Sequence, residues 1–331
     1  MDFSPVIIPT LNRYEHLKRC VESLLQNKYA DKTELFIGLD FPPSQKYEEG
    51  YKKVCEYVQS LTGFKSVTVI KRKENMGAIE NIKDLLKTVL KDHDSFIFSE
   101  DDNIFAPCFL EYAHQGLEKY KDDSSILSIQ GFSYPVNWPK SSANAVKVQR
   151  YFSDWGFAMW RDRYEKEKDT IFQSYFDSIF KDSKKSKILQ KKSRKNFIYA
   201  FGLCSPAPSE KIRPMDYTSS IYQCVENLYS IMPKETLVKN EGWDNSGIHC
   251  QSDNEEQSQI AELFINQKLT VKSDFAEITV DENETEKANR MLDRTIIGNY
   301  DRKYYPKVCV KAFLFKLGIL NFVRKMMGKG K

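Results

Sequence analysis

Pro5-Val6-Ile7-Ile8-Pro9-Thr10-Leu11-Asn12-Arg13 runs from an apolar stretch into a polar loop, and Leu17, Cys20, Val21, Leu24 and Leu25 then recur at helical spacing. The order is strand, loop, helix. Outward from it the same unit repeats. Leu35 to Leu39 reads as a strand, Tyr51, Val54, Cys55, Val58 and Leu61 as one helix face, and Val67 to Ile70 as a strand. Ile79, Ile82, Leu86 and Val89 mark the next helix, Ser95-Phe96-Ile97-Phe98-Ser99 the next strand, and a further helix begins at Pro107 with Leu110, Ala113, Leu117 and Tyr120 inward. Such alternation predicts an α/β fold with a mixed, mostly parallel sheet and helices on both faces.

Beyond residue 126 the alternation weakens, with strands expected at Ile126 to Gln130 and Val146 to Phe152. The lysine-rich stretch from Lys181 to Lys195 reads as an exposed helix or loop, and residues 252–257 and 281–286 as acidic surface segments. The expected organisation is a catalytic domain over 1–250, with a nucleotide-sugar-binding half at 1–125 and an acceptor half at 126–250. A carboxyl-terminal extension over 251–331 completes it.

Bulk composition narrows the function classes. With 331 residues, 41% of them hydrophobic and 29% charged, the chain has the make-up of a globular protein with a sizeable core. A formal charge of +4 is too small to call for nucleic acid as a partner. Seven cysteines, without a C-x-x-C pair, suggest neither a zinc knuckle nor a disulfide framework, and fit a reducing compartment. The first strand leaves no room for a signal peptide, so the expected location is cytoplasmic.

Ligands of doubly wound sheets bind beyond the carboxyl ends of the strands. The residues there are Thr10, Asn12 and Arg13, then Asp40, then Lys71 to Asn75, then Glu100, Asp101 and Asp102. Three consecutive acids after a buried strand repel one another unless a cation joins them. A hard divalent ion takes such oxygens together with phosphate and water, and an acidic helix start is the plainer reading.

With Pro9-Thr10-Leu11-Asn12-Arg13, Asp40, Asn75-Met76-Gly77 and the acids on one rim, the chain resembles the GT-A glycosyltransferases, its amino-terminal half being similar to family 2-like enzymes. Glu100-Asp101-Asp102 followed by Ala106-Pro107-Cys108-Phe109-Leu110-Glu111-Tyr112 resembles the N-acetylglucosaminyltransferase I group more narrowly. The resemblance implies a nucleotide-sugar site lined by Pro9, Thr10, Asn12, Arg13, Asp40, Asn75, Gly77, Glu100 and Asp101. It also implies that Asp102 binds Mn²⁺ or Mg²⁺, and it favours a UDP-sugar. It extends to Ser153-Asp154-Trp155-Gly156-Phe157-Ala158-Met159-Trp160, where Asp154 inherits the role of catalytic base in an inverting displacement. As local chemistry alone, Asp154 also suits a turn or cap. Trp155, Phe157 and Trp160 suit either an acceptor-sugar platform or the core.

Glu241 to Cys250 reads as a tight loop able to fold over a diphosphate, with His249 either a metal ligand or a surface histidine. Asp216 is a second acid for acceptor contact, or a helix cap. His16, His93 and His114 carry no assigned role. The stretch 307–331 mixes lysines with apolar residues and contains no acid, so it either lies on an anionic membrane surface or packs on the domain. The first option puts the enzyme at the inner face of the cell membrane, beside a lipid-linked saccharide acceptor. A free saccharide is the other acceptor class. Two other functions stay open: a sugar nucleotidyltransferase, which would want a glycine-rich phosphate loop where Pro9 to Arg13 has no glycine, and a non-catalytic carbohydrate- or membrane-binding protein.

Overall fold

The computed structural model describes residues 3–204, 215–243, 262–296 and 300–326. Strand β1 (Val6–Thr10) continues through a bend into helix α1 (Tyr14–Leu25), and the unit recurs as β2 (Glu34–Leu39), α2 (Glu48–Gln59), β3 (Ser66–Lys71), α3 (Ala78–Val89) and β4 (Ser95–Phe98). These four strands lie parallel in the order β3-β2-β1-β4. Side chains alternate between two cores because a strand has period two. Val6, Ile8, Leu35, Ile37 and Ile97 face α1 and α2, whereas Ile7, Phe96 and Phe98 face the Leu85 and Leu86 side of α3. With helices on both faces these strands have no polar side, which is why they read as continuous apolar runs.

The next elements are β5 (Asn103–Phe105), α4 (Phe109–Lys119), β6 (Ile126–Gln130), β7 (Ala145–Val148) and β8 (Phe157–Trp160). Two expectations shift. Helix α4 starts at Phe109 rather than Pro107, because Asn103–Phe105 is used in a strand pair and Ala106 N–H donates to the Leu237 carbonyl. The strand expected over Val146 to Phe152 ends at Val148. The larger surprise is β8, which lies antiparallel between β4 and β6 in the middle of the sheet, with Phe98 opposite Phe157 and Ile129 opposite Ala158. Four residues buried on both sides give no alternation to read, so only the pairing reveals this strand.

Helices α5 (Arg161–Glu167), α6 (Gln173–Lys181), α7 (Ser183–Lys192), α8 (Arg194–Leu203) and α9 (Met215–Glu226) follow, then β9 (Tyr229–Pro233) and β10 (Val238–Asn240). The full sheet runs β3-β2-β1-β4-β8-β6-β9-β7, with β8 and β7 opposed to the other six strands. Residues 262–280 lie back on the sheet, where Phe264, Leu269, Phe275 and Ile278 join the first core. Helix α10 (Thr285–Ile296) sets Ala288 and Leu292 against Val146 and Val148. Helices α11 (Tyr300–Lys316) and α12 (Leu320–Met326) close the helical cluster made by α6, α8 and α9. The lysine-rich stretch forms helix α7 and the start of α8; α7 is half-buried along much of its length, with Leu189 inward, and Lys195 in the first turn of α8 is half-buried.

Candidate active site

The carboxyl ends of β1, β2 and β4 lie side by side, so the polar residues that follow them meet. Two constellations form. In the first, Asp40 is 4% exposed, and its carboxylate accepts from Phe41 N–H, Met76 N–H and Gly77 N–H, each at 2.9 Å, and from Asn75 Nδ2 at 3.1 Å. Asn75-Met76-Gly77 is therefore wrapped onto Asp40. Gly77 holds φ +76° at the start of α3 with open space around it, so backbone freedom rather than room is what glycine supplies there.

The second constellation is the acidic one. Thr10 Oγ1 donates to Asp101 Oδ2 at 2.7 Å, and the Arg13 guanidinium, thrown across from the start of α1, binds both Asp101 and Asp102, the latter at 2.7 Å. Asn240 Nδ2 holds Asp102 Oδ1 at 2.6 Å and lies 3.4 Å from Glu100 Oε2. It arrives there because β10 pairs with β5, setting Asn240 opposite Asn103. Gly242 N–H then donates to Asn240 Oδ1 at 3.0 Å, and a Cβ on Gly242 would stand 2.3 Å from Asp102 Oδ2. Asn240 escaped the sequence reading, which began this loop at Glu241. Only the strand pairing brings it to the acids.

Electrostatics separates the carboxyls. Burial, then Asp154, Asp102 and Asp101 in turn, push Glu100 well above the usual carboxyl range, and Arg13 only partly opposes this. Burial raises Asp101 too, against the pull of Arg13. Burial works to lower Arg13, but the two aspartates outweigh it and keep the guanidinium charged.

Asp154 stands at this same end of the sheet because β8 runs against β4, so residues before Phe157 lie beside those after Phe98. Gly156, at φ +68°, makes the turn, and Gly131 N–H donates to its carbonyl at 2.7 Å. Trp155 is partly buried among Phe132, Trp243 and Phe264, whereas Phe157 and Trp160 lie in the core. Asp216 sits in the first turn of α9, where burial and then Asp154 push it up to about 8 against Lys195, and its Oδ1 has no hydrogen-bond partner.

Pro9 stays within β1 opposite Gly38, and the Asn12 carbonyl lies against Gly50. His16 and His114 are buried in α1 and α4. His249, with the rest of residues 244–250, lies outside the described residues.

Residues 6–195, which hold Arg13, Asp40, the three acids and Asp154, match the family model described as glycosyl transferase family 2. The chain belongs to that family. No curated protein matches it in sequence. Among solved structures, Staphylococcus aureus TarS 1-349 aligns over 97% of this chain and 80% of its own, at 14% identity and a TM-score of 0.43. The mannosyltransferase PcManGT from Pyrobaculum calidifontis, in complex with GDP-Man and Mn²⁺, covers 50% of this chain at 17% identity and a TM-score of 0.35. The chain spans 24% of a longer TarS structure and 46% of PcManGT.

Proposed function

We propose that this family 2 chain is an inverting glycosyltransferase that takes a sugar from a nucleotide-sugar donor, a UDP-sugar, and passes it to a saccharide hydroxyl. The observation that carries the reading is the charge imbalance beyond β4. Of the three contiguous acids there, Asp101 and Asp102 are buried and Glu100 is half-buried, and among the described residues the cation in ion-pair contact with the two aspartates is Arg13. Burial and mutual repulsion disfavour the charged forms of Glu100 and Asp101, and a cationic guest would offset both, so the site suits one.

The donor set fits a hard ion such as Mn²⁺ or Mg²⁺, since the candidate ligands among the described residues are carboxylate oxygens. Among the described residues, no three Asp, Glu, His or Cys side chains converge to hold an ion unaided. Donor diphosphate and water would fill the ion's remaining positions. Asp102 would hold it, with Asn240 fixing the carboxylate and Arg13 yielding one of its two partners. The ion, when bound, would neutralise the leaving diphosphate.

The chain's own residues supply the rest. Asp40 orders the Asn75-Met76-Gly77 turn into a wall for the nucleoside, Thr10 and Arg13 set the Asp101 carboxylate, and Asp154 takes the proton of the acceptor hydroxyl. A base on the side away from the leaving group makes the displacement inverting. The motif likeness to the N-acetylglucosaminyltransferase I group favours an N-acetylhexosamine as the sugar transferred and polysaccharide or glycolipid assembly as the setting.

Donor hydrolysis tests the reading. Purified protein is expected to release nucleoside diphosphate slowly from a UDP-sugar, only with Mn²⁺ or Mg²⁺, and Asp102→Ala is expected to abolish release. Undiminished release in that variant removes Asp102 from the site.

A further inference from the structure

Helix α11 is apolar on two opposite sides, and only one of them is used by the fold. On the inner side Ala312 is buried with Phe197 and Phe201, while Tyr305, Val308 and Phe315 pack against the same cluster. The Phe315 ring meets Phe201 edge-on at 6.2 Å, and Tyr305 meets Phe197 at 6.0 Å. Packing on the domain therefore accounts for half of the apolar residues in this stretch.

The other half points outward. Val310, Phe313 and Leu317, spaced three and then four residues apart, fall on one stripe and are 61%, 60% and 52% exposed. On the adjoining α12, Phe322 and Met326, four residues apart, are 65% and 74% exposed. Lys307 and Lys311 are exposed one step round α11 from the stripe, and Lys325 is exposed on α12. Nine lysines and arginines follow Asp301 in the sequence, with no acid among them. Isolated surface apolar residues need no explanation, but five large ones on adjoining helices, beside lysines that form no ion pair among the described residues, mark an interaction surface.

We infer that the outer side of α11 and α12 docks on an anionic lipid bilayer. The helices lie along the interface, with Val310, Phe313, Leu317 and Phe322 at the acyl boundary and the lysines among the headgroups. Charge complementarity selects this occupant. A second copy would bring the same lysines against these, which like-charge repulsion disfavours, whereas an anionic surface attracts each of them. Among the described residues no helix is long and apolar enough to cross a membrane, so the attachment is peripheral and combines apolar anchors with a basic patch.

Co-sedimentation of the full chain with vesicles tests this, and needs neither donor nor acceptor, so its result is separate from that of the transfer assay. Binding is expected to phosphatidylglycerol-rich vesicles and not to phosphatidylcholine alone, and to weaken as salt rises. Lys307→Glu with Lys311→Glu is expected to lower the partition coefficient at least about tenfold, since each lysine near the surface is worth roughly fivefold. Phe313→Ser with Phe322→Ser is expected to lower it at least as much, and Val310→Ser with Leu317→Ser serves as a second apolar pair should the first melt early. Equal binding to both vesicle types, no binding by the parent chain, or unchanged binding in well-folded variants overturns the inference. A dimer that the Phe313 and Phe322 changes dissociate, without any vesicle binding, assigns the face to a second copy and overturns it too.

Discussion

Gly242→Ala probes the acidic site without touching an acid. The added methyl would sit 2.3 Å from Asp102 Oδ2 and 3.1 Å from Asp102 Cγ. Real methyl carbons stay beyond 3.0 Å, so either the loop or the carboxylate must withdraw by about 0.7 Å. Asp102 is held on one oxygen by Asn240 at 2.6 Å and on the other by Arg13 at 2.7 Å. Moving it that far stretches one of these beyond a good hydrogen bond. A hydrogen bond to a charged group is worth about 1.5–3 kcal/mol, so ligands that depend on Asp102 should bind roughly 10- to 150-fold more weakly. Titration calorimetry with UDP and Mn²⁺, alongside electron paramagnetic resonance of free Mn²⁺, measures both affinities, and a melting curve separates them from general destabilisation. Parent-like affinity for Mn²⁺ and UDP in a Gly242→Ala protein of unchanged melting temperature would refute the placement of Asp102 at the centre of the site.

Asp154→Asn should cut acceptor transfer by about 10²–10⁴-fold while UDP-sugar affinity, read by calorimetry, stays within a few-fold; joint loss of both would make Asp154 structural. Glu167 is 2% exposed, and burial, opposed only in part by the Ser219 hydroxyl, pushes it up to about 7. Its folded pKa lies above the unfolded one, so its contribution is fully present below the ordinary glutamate range and is lost as pH rises through about 7. Glu167→Gln should therefore flatten the fall in melting temperature between pH 5 and pH 8, by about 3 kcal/mol at most, and a parallel fall in both proteins would contradict this. Arg163 Nη2 donates to the carbonyls of Tyr120, Lys121 and Asp123 at 2.9–3.1 Å, and its guanidinium lies 3.5 Å over the Trp160 ring. Arg163→Ala should cost about 2–4 kcal/mol in urea unfolding, and a change under 1 kcal/mol would show that water replaces it.

The parallel half of the sheet was legible because each strand-helix unit is a local pattern, in which Val6, Ile7 and Ile8 or Leu35 to Leu39 are apolar for reasons contained in a few residues. The antiparallel insertion was not legible. Phe157–Trp160 is buried against neighbours from β4 and β6, which are distant in sequence, and a short aromatic segment after a glycine reads equally well as a loop. The two-sided character of α11 was also hidden, since apolar residues facing opposite ways cancel the one-faced pattern by which a packed helix is recognised.

By itself the sequence determined which residues end the parallel amino-terminal strands, because there the apolar residues give way to Thr10, Asp40 and Glu100. Tertiary structure alone decided what those residues meet. Arg13 crosses to Asp101 and Asp102, Asn240 reaches Asp102 through the pairing of β10 with β5, and Asp154 comes beside Glu100 because β8 runs against β4. Periodicity is a property of neighbours along the chain, whereas an electrostatic site is a property of neighbours in space, and strand order and direction convert one into the other.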